Sequence, residues 1–116
     1  MVEAKVAYVF PGQGSQWVGM SSDLYDNFDS AKAVFDTADE TLGFPLSKLC
    51  FNGPEDELRQ TINAQPAIVT ASLACLSAIG DVSSNGLPTP AFVAGHSLGE
   101  YTALAAAEVL SFATTI

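Results

Sequence analysis

The 116-residue sequence has very little positive charge. It contains 4 Lys and Arg against 13 Asp and Glu, which gives a formal net charge of −9 at pH 7. Nucleic acids and anionic membrane surfaces attract proteins through clustered basic residues. We therefore expect no nucleic acid and no membrane among the partners of this chain.

Cysteine and histidine are scarce as well. Cys50 and Cys75 are the only cysteines, and they show neither the C-x-x-C spacing nor the neighbouring histidine that is typical of a metal site. The sequence therefore predicts no bound metal. It favours two buried thiols in a reducing compartment, which predicts a cytoplasmic protein.

The sequence also lacks an uninterrupted apolar run of membrane-spanning length. Its longest apolar stretch, residues 67–79, is interrupted by Thr70, Ser72 and Ser77, which predicts a buried helix rather than a membrane span. The apolar run near the N-terminus stops at Pro11 and is too short for a signal peptide.

Strand and helix patterns alternate along the chain. Apolar runs at 5–10 and 91–94 predict two buried strands, which need neighbouring strands because both of their faces are apolar. Helices are predicted at 21–28, from a cap at Asp29 or Ser30 to Leu42, at 45–51, after Pro54, from Pro66 to Ile79, and at 98–110. A polar, Pro/Gly-rich connection is predicted at 80–90. This order predicts an α/β fold, with a partial parallel sheet and flanking helices.

The pentapeptide Gly95-His96-Ser97-Leu98-Gly99 lies between the second strand and the last helix. In that context G-x-S-x-G forms a nucleophile elbow, a tight turn that presents the serine oxygen away from the sheet. The flanking glycines are expected because the turn leaves no room for a Cβ. The alternative is an ordinary glycine-flanked turn whose serine only caps the helix.

A second glycine-rich loop, Gly12-Gln13-Gly14-Ser15-Gln16, follows the first strand. A dinucleotide site is disfavoured, because Trp17 stands where that fingerprint requires a third glycine. Loops at the carboxyl ends of parallel strands share one edge of the sheet, so this loop and the elbow are expected to meet there. A backbone N–H from each could then form an oxyanion hole.

Taken together, F-P-G-Q-G-S-Q-W at 10–17 and G-H-S-L-G-E at 95–100 resemble the malonyl-CoA:acyl carrier protein transacylases and related acyltransferase domains. N-A-Q-P-A at 63–67 and Ser111-Phe112 fit the same family. The resemblance implies the first part of the α/β-hydrolase-like large subdomain of a transacylase. It implies transfer of a malonyl group from coenzyme A to the phosphopantetheine thiol of acyl carrier protein, in fatty-acid or polyketide synthesis. Malonyl-CoA is then a substrate, and no cofactor is expected.

The resemblance also assigns the site. Ser97 matches the family's nucleophile, which carries the malonyl group as an ester. Gln13 and Leu98 match the two residues whose backbone N–H groups bind the oxyanion. Leu98, where methylmalonyl-selective members carry Gln, is more similar to malonyl-selective members. His96 matches a histidine that precedes the serine and does not act as the base.

In the family, the general-base histidine, the glutamine that orients it and the arginine that binds the malonyl carboxylate lie far downstream of the elbow. Arg59, the only arginine here, does not align with that arginine. We therefore expect residues 1–116 to be the amino-terminal part of a single acyltransferase domain, without the ferredoxin-like small subdomain and inactive or nearly so alone.

Two other functions stay open from the sequence. G-x-S-x-G also serves serine hydrolases and thioesterases, although the G-Q-G-S-Q loop differs from the H-G-G-G type found in lipases. The chain could also be a non-catalytic fragment that binds carrier protein. Acyl transfer against hydrolysis of malonyl-CoA separates the first alternative from transacylation, and binding without acylation would indicate the second.

Overall fold

The computed structural model describes residues 6–82 and 90–107 of the chain. The elements, in chain order, are β1 (Ala7–Phe10), α1 (Ser22–Asn27), α2 (Asp29–Leu42), α3 (Leu46–Asn52), α4 (Glu55–Arg59), α5 (Thr61–Val82), β2 (Phe92–Gly95) and α6 (Gly99–Ala106). The predicted elements are confirmed with shifts of a few residues at their ends. Residues 83–89, 108–116 and Lys5 lie outside the described residues, so the predicted 80–90 connection and the end of the last helix are covered only in part.

β1 and β2 form a two-stranded parallel sheet within the described ranges. Their register runs from Ala7 opposite Phe92 to Phe10 opposite Gly95. The helices α1–α5 connect the two strands, and this arrangement confirms the predicted α/β class. The prediction of buried strands is wrong for most of these residues: only Phe10 is buried, while Val9 is 74% exposed and Phe92 is 66% exposed. Apolar side chains here face a surface that no described element covers.

The core lies among the helices and centres on α2 and α5. Ala31, Phe35 and Ala38 recur at helical spacing on α2 and are fully buried, as their periodicity predicts. Phe35 packs between two aromatic rings, with centroid distances of 6.1 Å to Tyr25 and 5.1 Å to Phe51. Edge-to-face and tilted contacts of this kind stabilise a core beyond the area that they bury.

Cys50 belongs to this core and is fully buried on α3. Burial raises the pKa of its thiol to about 12, and the carboxylate of Asp39 adds to the shift. The thiol therefore stays protonated at neutral pH, which fits the predicted role of a buried, unreactive cysteine. Cys75 is half-buried on α5, so the prediction of two fully buried thiols is confirmed only for Cys50.

α5 is the helix that the sequence predicted as buried. By length and composition alone it could cross a membrane, but 44% of its most apolar window is buried inside the fold. Nine of its residues are buried, which makes it the core helix of the molecule. The prediction that it begins at Pro66 is wrong: it begins at Thr61, and Pro66 lies inside it. Proline lacks an N–H, so packing against the core maintains the helix through this position.

The ends of α2 differ in how well the sequence predicts them. The helix ends at Leu42 as predicted. The next residue, Gly43, has a left-handed conformation with φ 78°, and its N–H donates to Asp39 O at 3.0 Å. The predicted N-cap at Asp29 or Ser30 is wrong, because the extended residue Phe28 occupies that position. The Ser30 hydroxyl instead donates to Asp81 at 2.5 Å and so links α2 to the far end of α5.

Candidate active site

The glycine-rich loop and the elbow leave the same edge of the sheet. Phe10 and Gly95 are paired at the carboxyl ends of the parallel strands, so residues 11–16 and 96–98 begin side by side. The His96 N–H donates to Phe10 O at 3.1 Å and continues the strand pairing into the elbow. The predicted meeting of the two loops is therefore confirmed.

Ser97 occupies the strained position of the turn. Its φ is 53°, in the left-handed region that costs a residue with a Cβ about 1–2 kcal/mol. The turn leads directly into α6, since the Gly99 N–H donates to His96 O and the Glu100 N–H donates to Ser97 O, both at 3.0 Å. The Ser97 side chain is exposed. Backbone strain held at an exposed polar residue is a mark of functional sites.

Three glycines make this turn possible by leaving room for neighbouring backbone. A Cβ on Gly95 would overlap the backbone of Gly99 and Glu100, and a Cβ on Gly99 would overlap Phe10. These overlaps confirm why both flanking positions are glycine. A Cβ on Gly12 would overlap the carbonyl group of His96. The first loop is therefore packed directly on the elbow at its first glycine.

One backbone N–H in the elbow and one in the adjoining loop are unpaired. Within residues 6–82 and 90–107, neither the Gln13 N–H nor the Leu98 N–H donates a hydrogen bond. Leu98 is the N-cap of α6, where the helix dipole favours negative charge. Unsatisfied N–H groups flanking a nucleophile are what an oxyanion hole requires.

The loop around Gln13 is held by side chains. The Ser15 hydroxyl donates to Gly12 O at 2.8 Å, and the Gly14 N–H donates to Oε1 of Gln16 at 2.9 Å. Nε2 of Gln13 donates to Oγ1 of Thr61, the first residue of α5, at 3.1 Å. These bonds fix the loop in a curled form that leaves the Gln13 N–H free.

The same loop lacks the context of a dinucleotide site. No helix follows its glycines directly, since α1 begins only at Ser22. Trp17, at the position of the missing glycine, is 61% exposed. The phosphate-binding helix N-terminus on which that fingerprint depends is therefore not formed by this loop.

Ser97 opens into a pocket of about 590 Å³ between the elbow and α5. The pocket combines apolar side chains with the polar groups of Gln65, Ser97, Glu100 and Tyr101. Its lining residues are Leu42, Ile62, Gln65, Pro66, Val69, Ser97, Leu98, Glu100 and Tyr101. A cleft of this size accommodates a small acyl group and part of its carrier.

Among the described residues no side chain accepts a hydrogen bond from the Ser97 hydroxyl, and no Lys or Arg lines its pocket. His96 lies on the other side of the turn: its Nδ1 would be 3.0 Å from a Cβ on Gly12, and it makes no hydrogen bond to Ser97 within the described ranges. Arg59 pairs with Glu55 at 3.1 Å on the exposed face of α4 and does not line the pocket. No group of metal-ligating side chains occurs among the described residues.

The sequence does not predict the walls of the pocket. Gln65 and Pro66 belong to the N-A-Q-P-A segment at 63–67, which resembles the family but does not by itself indicate a pocket. Ile62 and Tyr101 carry no signal of their own, because they reach the pocket only through the packing of α5 against α6. The N-A-Q-P-A motif is the one sequence signal for this wall, since it contains Gln65 and Pro66.

The chain resembles characterised acyltransferases along almost its whole length. It is 53% identical over 109 residues to the malonyl CoA-acyl carrier protein transacylase of Bacillus subtilis strain 168. The aligned region covers 94% of this chain and 33% of that protein. The chain is 46% identical to the enzyme of the same name from Staphylococcus aureus strain MRSA252, again over 94% of this chain and 33% of that protein. The chain therefore spans about a third of the length of these curated relatives.

Solved structures of malonyltransferases are also similar to this chain. The acyl-carrier-protein-S-malonyltransferase of Bartonella henselae superposes with a TM-score of 0.90 at 43% identity, over 97% of this chain and 36% of that one. A malonyl-transacylase solved in complex with a type II PKS acyl-carrier protein superposes with a TM-score of 0.88 at 42% identity, over 97% and 35% of the two chains. The acyl transferase domain family matches residues 7–115, and this chain belongs to it.

Proposed function

We propose that this chain provides the nucleophile-bearing part of a malonyl-CoA:acyl carrier protein transacylase, acting in fatty-acid or polyketide synthesis in the cytoplasm. Its substrates are malonyl-CoA and acyl carrier protein, and it needs no metal or other cofactor. The observation that carries the proposal is Ser97, held at φ 53° before the unpaired N–H of Leu98, on an elbow against which the Gln13 loop packs at Gly12. The proposed substrates are those for which its relatives are named.

In the proposed first half-reaction, the Ser97 hydroxyl attacks the thioester carbonyl carbon of malonyl-CoA and gives its proton to a base. The carbonyl oxygen becomes an oxyanion, which accepts hydrogen bonds from the N–H groups of Gln13 and Leu98. The C–S bond then breaks, coenzyme A leaves as its thiol after taking up a proton, and the malonyl group remains on Ser97 as an ester.

In the second half-reaction, the phosphopantetheine thiol of acyl carrier protein gives its proton to the base and attacks the carbonyl carbon of this ester. The same two N–H groups bind the second oxyanion, and the Ser97 oxygen leaves and regains its proton. The two acyl transfers share one site, which gives ping-pong kinetics. The pocket of about 590 Å³ between α5 and the elbow holds the malonyl group during both steps.

The reaction needs a base hydrogen-bonded to Ser97 and a cation for the malonyl carboxylate. No described side chain is hydrogen-bonded to the Ser97 hydroxyl, and no described Lys or Arg lines the pocket. We propose that both come from residues outside this sequence, as the family resemblance implies. A base contributes about 10²–10⁴-fold to such a reaction. A malonyl carboxylate without a paired cation would also be unfavourable in a pocket that already contains Glu100.

The test is a chimaera in which this chain replaces the matching third of the Bacillus subtilis relative, to which it is 53% identical. The purified chimaera is expected to transfer malonyl groups from malonyl-CoA to holo acyl carrier protein. Ser97→Ala should lower the rate by at least about 10⁴-fold, because it removes the nucleophile. Ser77→Ala, on the core helix away from the pocket, is the matched control and should leave the rate unchanged.

Each alternative has its own signature in this experiment. Release of free malonate without transfer would indicate a hydrolase. Binding of carrier protein without acylation of Ser97 would indicate a non-catalytic module. The 116-residue chain alone is expected to show no turnover, and turnover that disappears in Ser97→Ala would contradict the proposed need for an external base.

A further inference from the structure

The Gln13 loop is tied to a distant helix by one side-chain hydrogen bond. Nε2 of Gln13 donates to Oγ1 of Thr61 at 3.1 Å, and the two residues are 48 positions apart in the sequence. Among the residues that the structure describes, this is the one hydrogen bond that joins residues 12–16 to another element. The other bonds of the loop close it on itself and do not fix where it lies.

Gln13 therefore lies between two anchors. On one side Gly12 packs against the His96 carbonyl, where a Cβ would overlap it. On the other side the Gln13 side chain reaches Thr61. The backbone N–H proposed to bind the oxyanion belongs to the residue between these contacts. Without the Thr61 contact, the loop could rotate about its packed first glycine and move that N–H.

α5 is well suited to hold such a group in place. Ala64, Ala67 and Ile68, within two turns of Thr61, are 0–1% exposed and belong to the core. The other face of the same two turns lines the Ser97 pocket with Ile62, Gln65 and Val69. One rigid helix therefore forms the wall of the pocket and carries the hydroxyl that holds the Gln13 loop.

We infer that Thr61 is a positioning residue for the oxyanion hole: its hydroxyl holds the Gln13 loop so that the Gln13 N–H points at the reacting carbonyl. This rests on the proposed function. An oxyanion hole acts through donors that are already oriented before the reaction, so a loosened donor lowers the rate of acyl transfer without changing how substrate binds.

The test compares Thr61→Val, which keeps the shape and β-branch of the side chain, with Thr61→Ser, which keeps the hydroxyl. In the chimaera, Thr61→Val should lower kcat for malonyl transfer about tenfold, equivalent to one ordinary hydrogen bond, with KM unchanged within twofold. Thr61→Ser should stay within twofold of the unmodified chimaera. Thr37→Val, an identical change at an exposed site on α2, is the matched control and should leave kcat unchanged.

A double-mutant cycle identifies the partner. Gln13→Ala removes the same hydrogen bond from its other end while keeping the backbone N–H. If the two side chains act through one bond, the double variant Gln13→Ala/Thr61→Val should be no slower than the slower single variant, within twofold. Additive losses, a Thr61→Val variant within twofold of the unmodified kcat, or a loss that Thr61→Ser does not restore would overturn the inference.

A second readout separates this inference from the proposed function. In the isotope-labelled 116-residue chain, Thr61→Val should shift the side-chain NH₂ and backbone N–H resonances of Gln13, and Thr61→Ser should return them toward their original positions. If the unmodified chimaera transfers no malonyl group, the proposed function fails while these resonances still report the contact. Unchanged Gln13 resonances in Thr61→Val would overturn the contact itself.

Discussion

The molecule has two regions that differ in how they are packed. The helical region, α1 to α5, buries a continuous apolar core that includes Phe35, Leu46 and Leu58 at 0–1% exposure. The elbow region, β1, β2, α6 and their two loops, leaves Val9 and Phe92 more than 60% exposed. A cavity of about 530 Å³ also opens along β1, where the strand faces α5. The regions therefore contribute differently to stability.

The two regions differ in how their left-handed residues are held. Among the described residues each region contains one serine with a positive φ, Ser21 at 63° just before α1 and Ser97 at 53° in the elbow. Gly43, which follows the end of α2, adopts a positive φ without the cost of a Cβ. In the elbow the glycines on both sides of Ser97 pack against neighbouring backbone, so Ser97 is held between β2 and α6. We expect the packed helical core to supply the free energy that keeps Ser97 in its strained form.

The sharpest test of this division is the same substitution made in each region. Phe35→Ala should lower the free energy of unfolding by about 3–5 kcal/mol, because it leaves a cavity among Tyr25 and Phe51. Phe92→Ala should cost less than about 1 kcal/mol, since that ring is 66% exposed. Urea unfolding of the 116-residue chain, followed by circular dichroism, measures both.

Similar losses in the free energy of unfolding for Phe35→Ala and Phe92→Ala would contradict this difference between the two regions. They would mean that packing in the sheet stabilises the fold as much as packing among the helices. A markedly smaller slope of the free energy of unfolding against urea concentration in either variant would indicate a change in cooperativity rather than in packing alone. The control is Val9→Ala, at a second exposed position of the sheet, which should resemble Phe92→Ala.

Two glycines provide the next comparison, this time between activity and stability. Gly12→Ala places a Cβ against the His96 carbonyl, so the loop must move away from the elbow. In the chimaera, we expect kcat for malonyl transfer to fall about 10²–10³-fold, as when an oxyanion donor is removed. Gly43→Ala has open space but a φ of 78°, so it should cost about 1 kcal/mol of stability and no activity.

A Gly12→Ala variant with undiminished kcat would show that the position of the loop against the elbow is unimportant for the reaction. Stability should be measured on the same samples. If Gly12→Ala loses stability but not activity, then Gly12, like Gly43, contributes only to the stability of the fold.

The features that the sequence predicts best are those determined by neighbouring residues. The elbow is an example, since a strand, G-x-S-x-G and a helix specify a turn from local sterics alone, and the positive φ of Ser97 agrees. The buried face of α2 is another, because Ala31, Phe35 and Ala38 repeat at the helical period. The meeting of the two loops follows from the rule that parallel strands share a carboxyl edge.

The features that the sequence does not predict depend on contacts between distant residues. Pro66 marks a helix start by propensity, but packing of α5 against α2 extends the helix back to Thr61. Asp29 and Ser30 are good capping residues, yet Ser30 bonds to Asp81 on another helix. The bond between Gln13 and Thr61 is of the same kind, because neither residue carries a local signal for it.

The smallest expected effect concerns the strain at Ser97 itself. Ser97→Gly should raise the free energy of unfolding of the 116-residue chain by about 0.5–1 kcal/mol, because glycine adopts φ 53° without the steric cost of a Cβ. Ser97→Ala is the matched control: it removes the same hydroxyl, which makes no hydrogen bond within the described ranges, but keeps the strain. It should therefore leave stability unchanged.

The difference between the glycine and alanine variants is thus a direct measure of the strain that the fold imposes at Ser97. Thermal unfolding measures it, and a gain of about 1 kcal/mol corresponds to a rise of roughly 4–8 °C for a domain of this size. Equal midpoints for Ser97→Gly and Ser97→Ala would show that the turn is relaxed at this residue. A stabilised but inactive Ser97→Gly chimaera would show instead that the elbow gives up stability in order to present its serine, a cost that the well-packed helical region offsets.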